Sequence, residues 1–174
     1  MMKYSFVSFL SVCLSAAPLF AGKNQLSNDG FEHGLSGWVA QGDKSMNRIV
    51  GNAAYRGDSG LEVVDDSSAT GSSLYSDRVP VKPGEHCELS FWARLVEDKG
   101  LGVYLLFWDA DGQLLSTQAN GQVVINIDKN DYAWEEFKLE AVAPDKAATV
   151  AVWIHSWDAS TVVAHLDDFM LSIR

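Results

Sequence analysis

The sequence has few cysteines and few basic residues, and the shortage of basic residues excludes two classes of partner. Of 174 residues only two are cysteines, and 13 Lys and Arg stand against 23 Asp and Glu, which gives a formal net charge of −10 at pH 7. A chain this acidic is poorly suited to nucleic acid or to an anionic membrane surface, because both carry the same sign of charge. We therefore expect neither as a partner.

Long apolar runs are also scarce, and the single one lies at the N-terminus. It extends to Phe20, Lys3 gives it a positive start, and Ala21 is a small residue at a plausible cleavage point. This pattern is typical of a secretory signal peptide over residues 1–21, followed by one domain over residues 22–174. We expect the protein to be secreted, in a periplasmic or extracellular compartment.

The shortage of cysteine rules out an internal disulfide framework. Cys13 lies inside the apolar leader, which leaves Cys87 alone in the mature chain. A secreted domain held by disulfides needs at least one pair. Cys87 alternates with Leu89 and Phe91, so we expect a buried thiol that packs as a small apolar side chain.

No amphipathic helix is evident, and short strand signals separated by turns fill the chain. Val103–Trp108 is the strongest, because it is β-branched and aromatic and ends in a turn signal at 109–112. We expect it to form a hairpin with the preceding strand, Cys87–Leu95. Further strands are predicted at Leu61–Val64, Leu74–Val81, Trp134–Leu139, Thr149–Trp157 and Val162–Ile173, with weaker ones around Asn120-Gly121 within Leu114–Ile127. The pattern predicts an all-β fold, a β-sandwich of two antiparallel sheets.

Alternation along the strands separates an apolar face from a face with aromatic and polar side chains. On Val103–Trp108, for example, Val103, Leu105 and Phe107 share the apolar side. The opposite faces of three strands carry Trp92 and Arg94, Tyr104 and Trp108, and Trp153 and His155. If these strands are neighbours, their rings form a surface that can stack on sugars, with polar groups for the hydroxyls. The alternative is that the rings pack under loops or in a second core layer.

Several short motifs lie along the chain: Asn28-x-Gly-Phe-Glu-x-Gly-Leu-x-Gly-Trp38, Ser59-Gly60, Val81-x-Pro-Gly84, Leu89-Ser-Phe-Trp-Ala-Arg94, Trp134 and Leu166-Asp-Asp-Phe169. In this order and spacing they resemble the motifs of carbohydrate-binding modules of the CenC type, families four and nine. The resemblance covers residues 28–173 and implies a galactose-binding-like jelly roll with a glycan cleft on its concave face. It also implies a non-catalytic module that tethers glycoside hydrolases to polysaccharide, and it adds Tyr75 as a residue at the rim of the cleft.

The same resemblance implies a structural Ca²⁺ ion. Carried over by motif, its ligands would be Glu32, a main-chain oxygen near Ser59 and the carboxylate of Asp167. Carboxylate and carbonyl oxygens suit this ion. We expect Asp168 to point to the opposite side of its strand. The alternative is that Glu32 and Asp167 are solvated or pair with Lys or Arg.

Signals for catalysis are weak. Gly57-Asp58-Ser59-Gly60 is similar to the nucleophile motif of trypsin-like proteases, but the Ala-Ala-His-Cys stretch that carries the His base of that family is absent and no Gly-Pro follows the motif. Glycoside cleavage needs two carboxylates in the cleft, and the predicted aromatic face has none in its strands. We therefore expect a protein that is not an enzyme and that binds a polysaccharide or oligosaccharide. It would work with a separate glycan-active enzyme or envelope protein. A polysaccharide hydrolase or lyase, or an envelope protein-interaction module, remains the alternative.

Overall fold

A computed structural model describes residues 22–115, 123–128, 132–157 and 160–174 of the chain, and these are mostly β-strand. Two single-turn 3₁₀ helices, Lys44–Met46 and Gly51–Ala53, are the helices of this part of the chain, and neither could cross a membrane. The strands are β1 Trp38–Gln41, β2 Asn47–Val50, β3 Gly60–Asp65, β4 Ser73–Ser76, β5 Val79–Pro80, β6 His86–Asp98, β7 Leu101–Trp108, β8 Val123–Ile127, β9 Glu135–Val142, β10 Thr149–Ser156 and β11 Val162–Ile173. The signal-peptide prediction and the Asn120-Gly121 turn lie outside the described residues.

The strands form two antiparallel sheets that enclose one core. Sheet A has the order β1-β4-β10-β7-β8, with β5 paired to β10, and sheet B has the order β2-β3-β11-β6-β9. This arrangement confirms the predicted all-β sandwich. β7 and β10 lie in the interior of sheet A, so the side chains on their outer face have neighbours on both sides.

The core forms where the apolar faces of the two sheets meet. Leu105 and Phe107 from β7 and Phe91 from β6 are at most 1% exposed and belong to the same cluster. Alternation along the strands therefore assigned the inward face correctly. Cys87 is part of this core, and burial, with a smaller effect of Glu85, raises the pKa of its thiol to about 11. The thiol stays protonated at neutral pH, which agrees with a packing role.

The predicted hairpin between β6 and β7 is wrong. The chain leaves sheet B at Asp98 and enters sheet A at Leu101, and on the way Asp98 and Gly100 adopt φ angles of 53° and 117°. β6 pairs with β11 and β9, whereas β7 pairs with β10 and β8. Each strand has one apolar face. A crossover between the sheets buries both apolar faces in the core, and a hairpin within one sheet would bury them there as well. Alternation alone could not choose between the two arrangements.

The predicted strand Leu74–Val81 is two short strands, β4 and β5. Both pair with β10, and Asp77 and Arg78 lie in the link between them. Because strand pairing breaks here, the side chains of Asp77 and Arg78 do not follow the alternation of β4, and both line the cleft on sheet A.

The main chain packs very closely at the start of β3. Gly60 packs so closely on the main chain of Ala53 that a methyl group there would overlap the Ala53 carbonyl. Gly60→Ala should lower the free energy of unfolding by about 2 to 3 kcal/mol, because a main-chain obstacle cannot move aside as a flexible side chain can. Urea unfolding would measure it. In the control Gly51→Ala the added methyl comes no closer than 3.4 Å to another heavy atom, so the cost should stay below about 1 kcal/mol. Equal stabilities for the two variants would contradict this packing.

Candidate functional site

Three aromatic rings form a row across sheet A, on the face turned away from the core. The strand register places Trp153 of β10 opposite Tyr75 of β4 on one side and opposite Tyr104 of β7 on the other. The ring centroids of Tyr75 and Trp153 are 5.6 Å apart at 12°, and those of Trp153 and Tyr104 are 4.8 Å apart at 37°. We call these three residues the aromatic row. Direct cross-strand pairing explains why rings distant in sequence stack here.

Hydrogen bonds fix the orientation of the row. Trp153 Nε1 donates to Ser73 Oγ at 2.9 Å, and Trp157 Nε1 donates to Tyr104 Oη at 3.1 Å. The His155 ring stacks on Trp153 with centroids 4.4 Å apart, and its Nδ1 lies 2.6 Å from the Ser72 carbonyl oxygen. A carbonyl only accepts, so Nδ1 carries the hydrogen and Nε2 remains for another partner. The rings are thus held in place before any ligand binds.

The rings differ in how far solvent reaches them. Tyr75, Trp153 and His155 are partly buried, whereas Tyr104 and Trp108 are each only 7% exposed. We expected all of them to be accessible. The difference follows from neighbouring side chains, because Trp153 packs on the Tyr104 ring, Trp157 bonds its hydroxyl and the Arg78 guanidinium covers the Trp108 ring. Tyr104 and Trp108 form the floor of the site, and the other three form its accessible part.

A cleft of about 420 Å³ continues from the aromatic row toward β1. This volume lies within the usual range for small-ligand sites, about 300 to 1,000 Å³. The Arg78 guanidinium covers the Trp108 ring, with Cζ 3.9 Å from the ring centroid. The cleft is lined by Val39, Gln41, Tyr75, Ser76, Asp77, Arg78, Leu106, Trp108, Leu114 and Ala151.

Trp92 and Arg94 do not belong to this surface. They lie on β6 in sheet B, so the condition that the three strands are neighbours fails for this pair. Trp92 stacks on Tyr55 at 4.0 Å and 12°, and Arg94 lies over Trp134 at 4.9 Å. Both do face away from the core, as alternation predicted, but on the opposite side of the sandwich.

Of the three residues predicted to bind Ca²⁺, Glu32 and Asp167 line a separate cavity of about 380 Å³. Glu32 Oε1 accepts hydrogen bonds from the amides of Asp58 and Ser59 at 2.9 and 3.1 Å. Asp167 Oδ2 accepts from the amides of Tyr55 and Arg56 at 2.7 and 2.9 Å. The two carboxylates therefore hold residues 55–59 against the sandwich, and Ser59 takes part through its amide.

Asp168 does not point away from Asp167 as predicted. The β6–β11 register shifts between Asp167 and Met170, and Asp168 has a φ angle of 55°, so alternation is broken here by a bulge. Asp168 lines the same cavity and its carboxylate lies 3.2 Å from Arg56 Nη1. Nothing in the sequence marked this irregularity.

The electrostatics of Asp167 suit a cation. Burial raises the pKa of its carboxyl group, while the amides of Arg56, Tyr55 and Asp168 lower it and the charge of Asp168 raises it. The hydrogen bonds to the ionised carboxylate thus offset only part of the cost of burying its charge. The available donors are carboxylate and main-chain oxygens, the kind that Ca²⁺ prefers. Among the described residues no three Asp, Glu, His or Cys side chains cluster closely enough to hold an ion, so main-chain oxygens would have to supply several ligands.

Several residues of the site were not predicted from the sequence, among them Val39, Arg78 and Trp157. Val39 and Arg78 line the cleft, and Trp157 supports the aromatic row. Trp157 continues the alternation of Trp153 and His155 and could have been included. Val39 lies on a four-residue strand within a segment that looked irregular, and Arg78 lies in a link where alternation predicts nothing.

A family model described as "Carbohydrate binding domain" matches residues 23–161. None of the curated proteins matches this sequence.

Solved structures share the fold at low sequence identity. A bacteriophage CBA120 tailspike protein 4 domain, described as enzymatically active, has a TM-score of 0.68 at 14% identity, covering 87% of this chain but only 21% of its own. A family 16 carbohydrate-binding module has a TM-score of 0.63 at 20% identity, with 85% and 99% covered. A family 22 xylan-binding domain from Paenibacillus barcinonensis has a TM-score of 0.59 at 21% identity, and the match covers 83% of this chain and 91% of that domain. At these identities the similarity shows the fold.

Proposed function

The chain belongs to the carbohydrate-binding domain family, and we propose that it is a non-catalytic module that stacks sugar rings on the aromatic row of sheet A. The observation that supports this most is the cross-strand stack of Tyr75, Trp153 and Tyr104 beside an open cleft. The apolar face of a pyranose packs on aromatic rings, and its hydroxyls need polar groups at the edge. His155 Nε2 and the side chains of Gln41 and Asp77 lie where they can supply them.

The charges in the cleft favour binding over catalysis. Hydrolysis of a glycosidic bond uses two carboxylates about 5 to 10 Å apart. Of the described residues that line the cleft, Asp77 is the single carboxylate. The described part of the cleft therefore offers one exposed carboxylate and not the pair that hydrolysis requires.

We place this module outside the cytoplasm, after removal of residues 1–21, where polysaccharides are found. It would act beside a separate glycan-active enzyme or an envelope protein. The ligands of its structural neighbours guide the choice of probes: one is a xylan-binding domain and another is bound to β-1,4-galactotriose. Neutral β-1,4-linked oligosaccharides are therefore the first candidates for this chain.

A glycan array tests the proposal. The mature protein should be retained by at least one class of polysaccharide, with a dissociation constant of about 10⁻⁵ to 10⁻³ M, because an open site leaves many hydroxyls hydrated. Incubation with the retained glycan should release no reducing ends and no unsaturated product. Retention by a partner protein with no glycan bound would contradict the proposal, and so would glycan cleavage.

We also propose that Glu32 and Asp167 help to hold a structural Ca²⁺ ion, with main-chain oxygens of residues 57–60 as further ligands. The support is the shared cavity and the incompletely compensated charge of Asp167. The ion would supply positive charge there, while the two carboxylates hold the 55–59 segment. The cavity is not lined by residues of the aromatic row, so removing the ion should lower stability more than glycan affinity.

A further inference from the structure

We propose that Arg78 makes this cleft selective for glycans that carry a carboxylate, such as a single uronic acid on an otherwise neutral chain. This inference rests on the proposed function, since it takes the cleft beside the aromatic row as the glycan site. It goes further by naming a ligand class and the residue that selects it.

The position of Arg78 is the first support. Arg78 lies in the link between β4 and β5, its side chain is exposed, and its guanidinium lies 3.9 Å above the centre of the Trp108 ring. Trp108 itself is 7% exposed and forms part of the cleft floor. Within the described residues no carboxylate forms an ion pair with Arg78, although its neighbour Asp77 lines the same cleft. The cation is thus placed at the ligand surface without an acidic partner.

The stacked geometry prepares the guanidinium for a carboxylate. A guanidinium held over an indole at 3.9 Å uses its charge on the ring face and keeps N–H groups free for a further partner. Two parallel N–H groups match the two oxygens of a carboxylate, and a neutral hydroxyl cannot use both. Stacking also reduces the side-chain entropy that would be lost on binding. Lysine offers neither the fork nor the flat stack, so it should replace Arg78 poorly.

The charge of the whole protein limits how many carboxylates the ligand carries. A formal net charge of −10 disfavours a polyanion over long distances. At physiological ionic strength the Debye length is about 8 Å, so charges beyond the cleft are largely screened and one local guanidinium can act on one nearby carboxylate. A neutral chain with sparse acidic residues fits both conditions, whereas a fully charged polyuronate does not.

A rival interpretation is that Arg78 covers Trp108 until a neutral sugar displaces it. Truncating Arg78 would then expose a fresh stacking surface and strengthen binding of neutral glycans. The two interpretations therefore predict opposite effects of the same substitution.

The test uses an array of neutral and uronic-acid-bearing oligosaccharides, together with the same array after carbodiimide–borohydride reduction, which converts each carboxyl group to a hydroxymethyl group. Wild-type protein should bind the best acidic oligosaccharide about tenfold more tightly than its reduced form, as expected for a charge-assisted hydrogen bond at a partly solvated site. Arg78→Gln should bind both forms equally, and Arg78→Lys should recover only part of the difference. The preference of the wild type should shrink as salt is raised.

Arg174→Gln is the matched control, because it makes the same change of charge at an exposed arginine that pairs with Glu88 on sheet B. It should keep the wild-type preference. Equal binding of acidic and reduced forms by the wild type would overturn the inference, and so would tighter binding of neutral glycans by Arg78→Gln. If the wild type binds no oligosaccharide on either array, the proposed function fails as well, which is a distinguishable result.

Discussion

Trp153→Ala should abolish detectable glycan binding while the sandwich stays folded. Trp153 is the centre of the aromatic row: it stacks on Tyr75, Tyr104 and His155 and donates to Ser73. Its removal takes away the central, partly exposed ring of the row and the contact that positions its neighbours. Central aromatic residues of binding sites often contribute 2 kcal/mol or more, about a thirtyfold loss of affinity. For a site that starts at about 10⁻⁴ M, such a loss moves binding out of the measurable range.

The cost in stability should be smaller than the cost in binding. Trp153 packs against the outer cluster of sheet A and is not among the side chains that pack against the main core. A loss of about 1 to 2 kcal/mol in the free energy of unfolding is expected. Affinity electrophoresis and thermal unfolding of the same preparation would measure both effects.

Trp92→Ala is the matched control for Trp153→Ala. Both residues are partly buried tryptophans on an outward face, and both stack on a tyrosine at 12°. Trp92 lies on sheet B, so its loss should leave glycan binding within about twofold of wild type. The reverse pattern, with binding lost in Trp92→Ala and kept in Trp153→Ala, would place the site on the other sheet.

Asp167→Ala should be the most destabilising single substitution proposed here, at about 3 to 5 kcal/mol. The carboxylate is fully buried and accepts three main-chain amides, those of Tyr55, Arg56 and Asp168. Alanine would leave these donors without the partner they have in the folded protein, and each buried donor left unpaired costs about 1 to 3 kcal/mol. Urea unfolding with excess Ca²⁺ and with chelator would measure the loss.

The calcium proposal adds a second readout to the same experiment. Wild-type protein should gain stability with Ca²⁺, since an ion that binds the folded state stabilises it by mass action. Asp167→Ala should lose this gain. Asp168→Asn is the control: its carboxylate makes an exposed ion pair with Arg56, and asparagine tolerates the φ angle of 55°. It should cost less than about 1 kcal/mol. Identical curves for the wild type with Ca²⁺ and with chelator would contradict the structural ion.

The sequence predicted local features of the site better than its assembly. Alternation placed Tyr104, Trp108, Trp153 and His155 on the correct face, because the direction of a side chain depends on its own strand. It could not decide which sheet β6 joins, because that depends on pairing between distant segments. Alternation therefore predicts correctly that Trp92 and Arg94 face away from the core, but it groups them with residues of sheet A although they lie on sheet B.

Irregular backbone limited the rest of the prediction. Asp168 lies in a bulge, so the strict alternation assumed for Val162–Ile173 fails at that point. Arg78 lies between two short strands that the sequence presented as one. Both residues acquire their positions from breaks in strand pairing, and single-sequence patterns carry little information about such breaks.

The six tryptophans can report which face of the sandwich binds the sugar, because they are spread over the core and both sheets. A ¹⁵N–¹H NMR titration of the indole N–H signals with a retained oligosaccharide would follow them together. We expect the signals of Trp153 and Trp157 to shift on saturation while those of Trp92 and Trp134 stay in place. Shifts at Trp92 and Trp134 with none at Trp153 would contradict a glycan site on the outer face of sheet A.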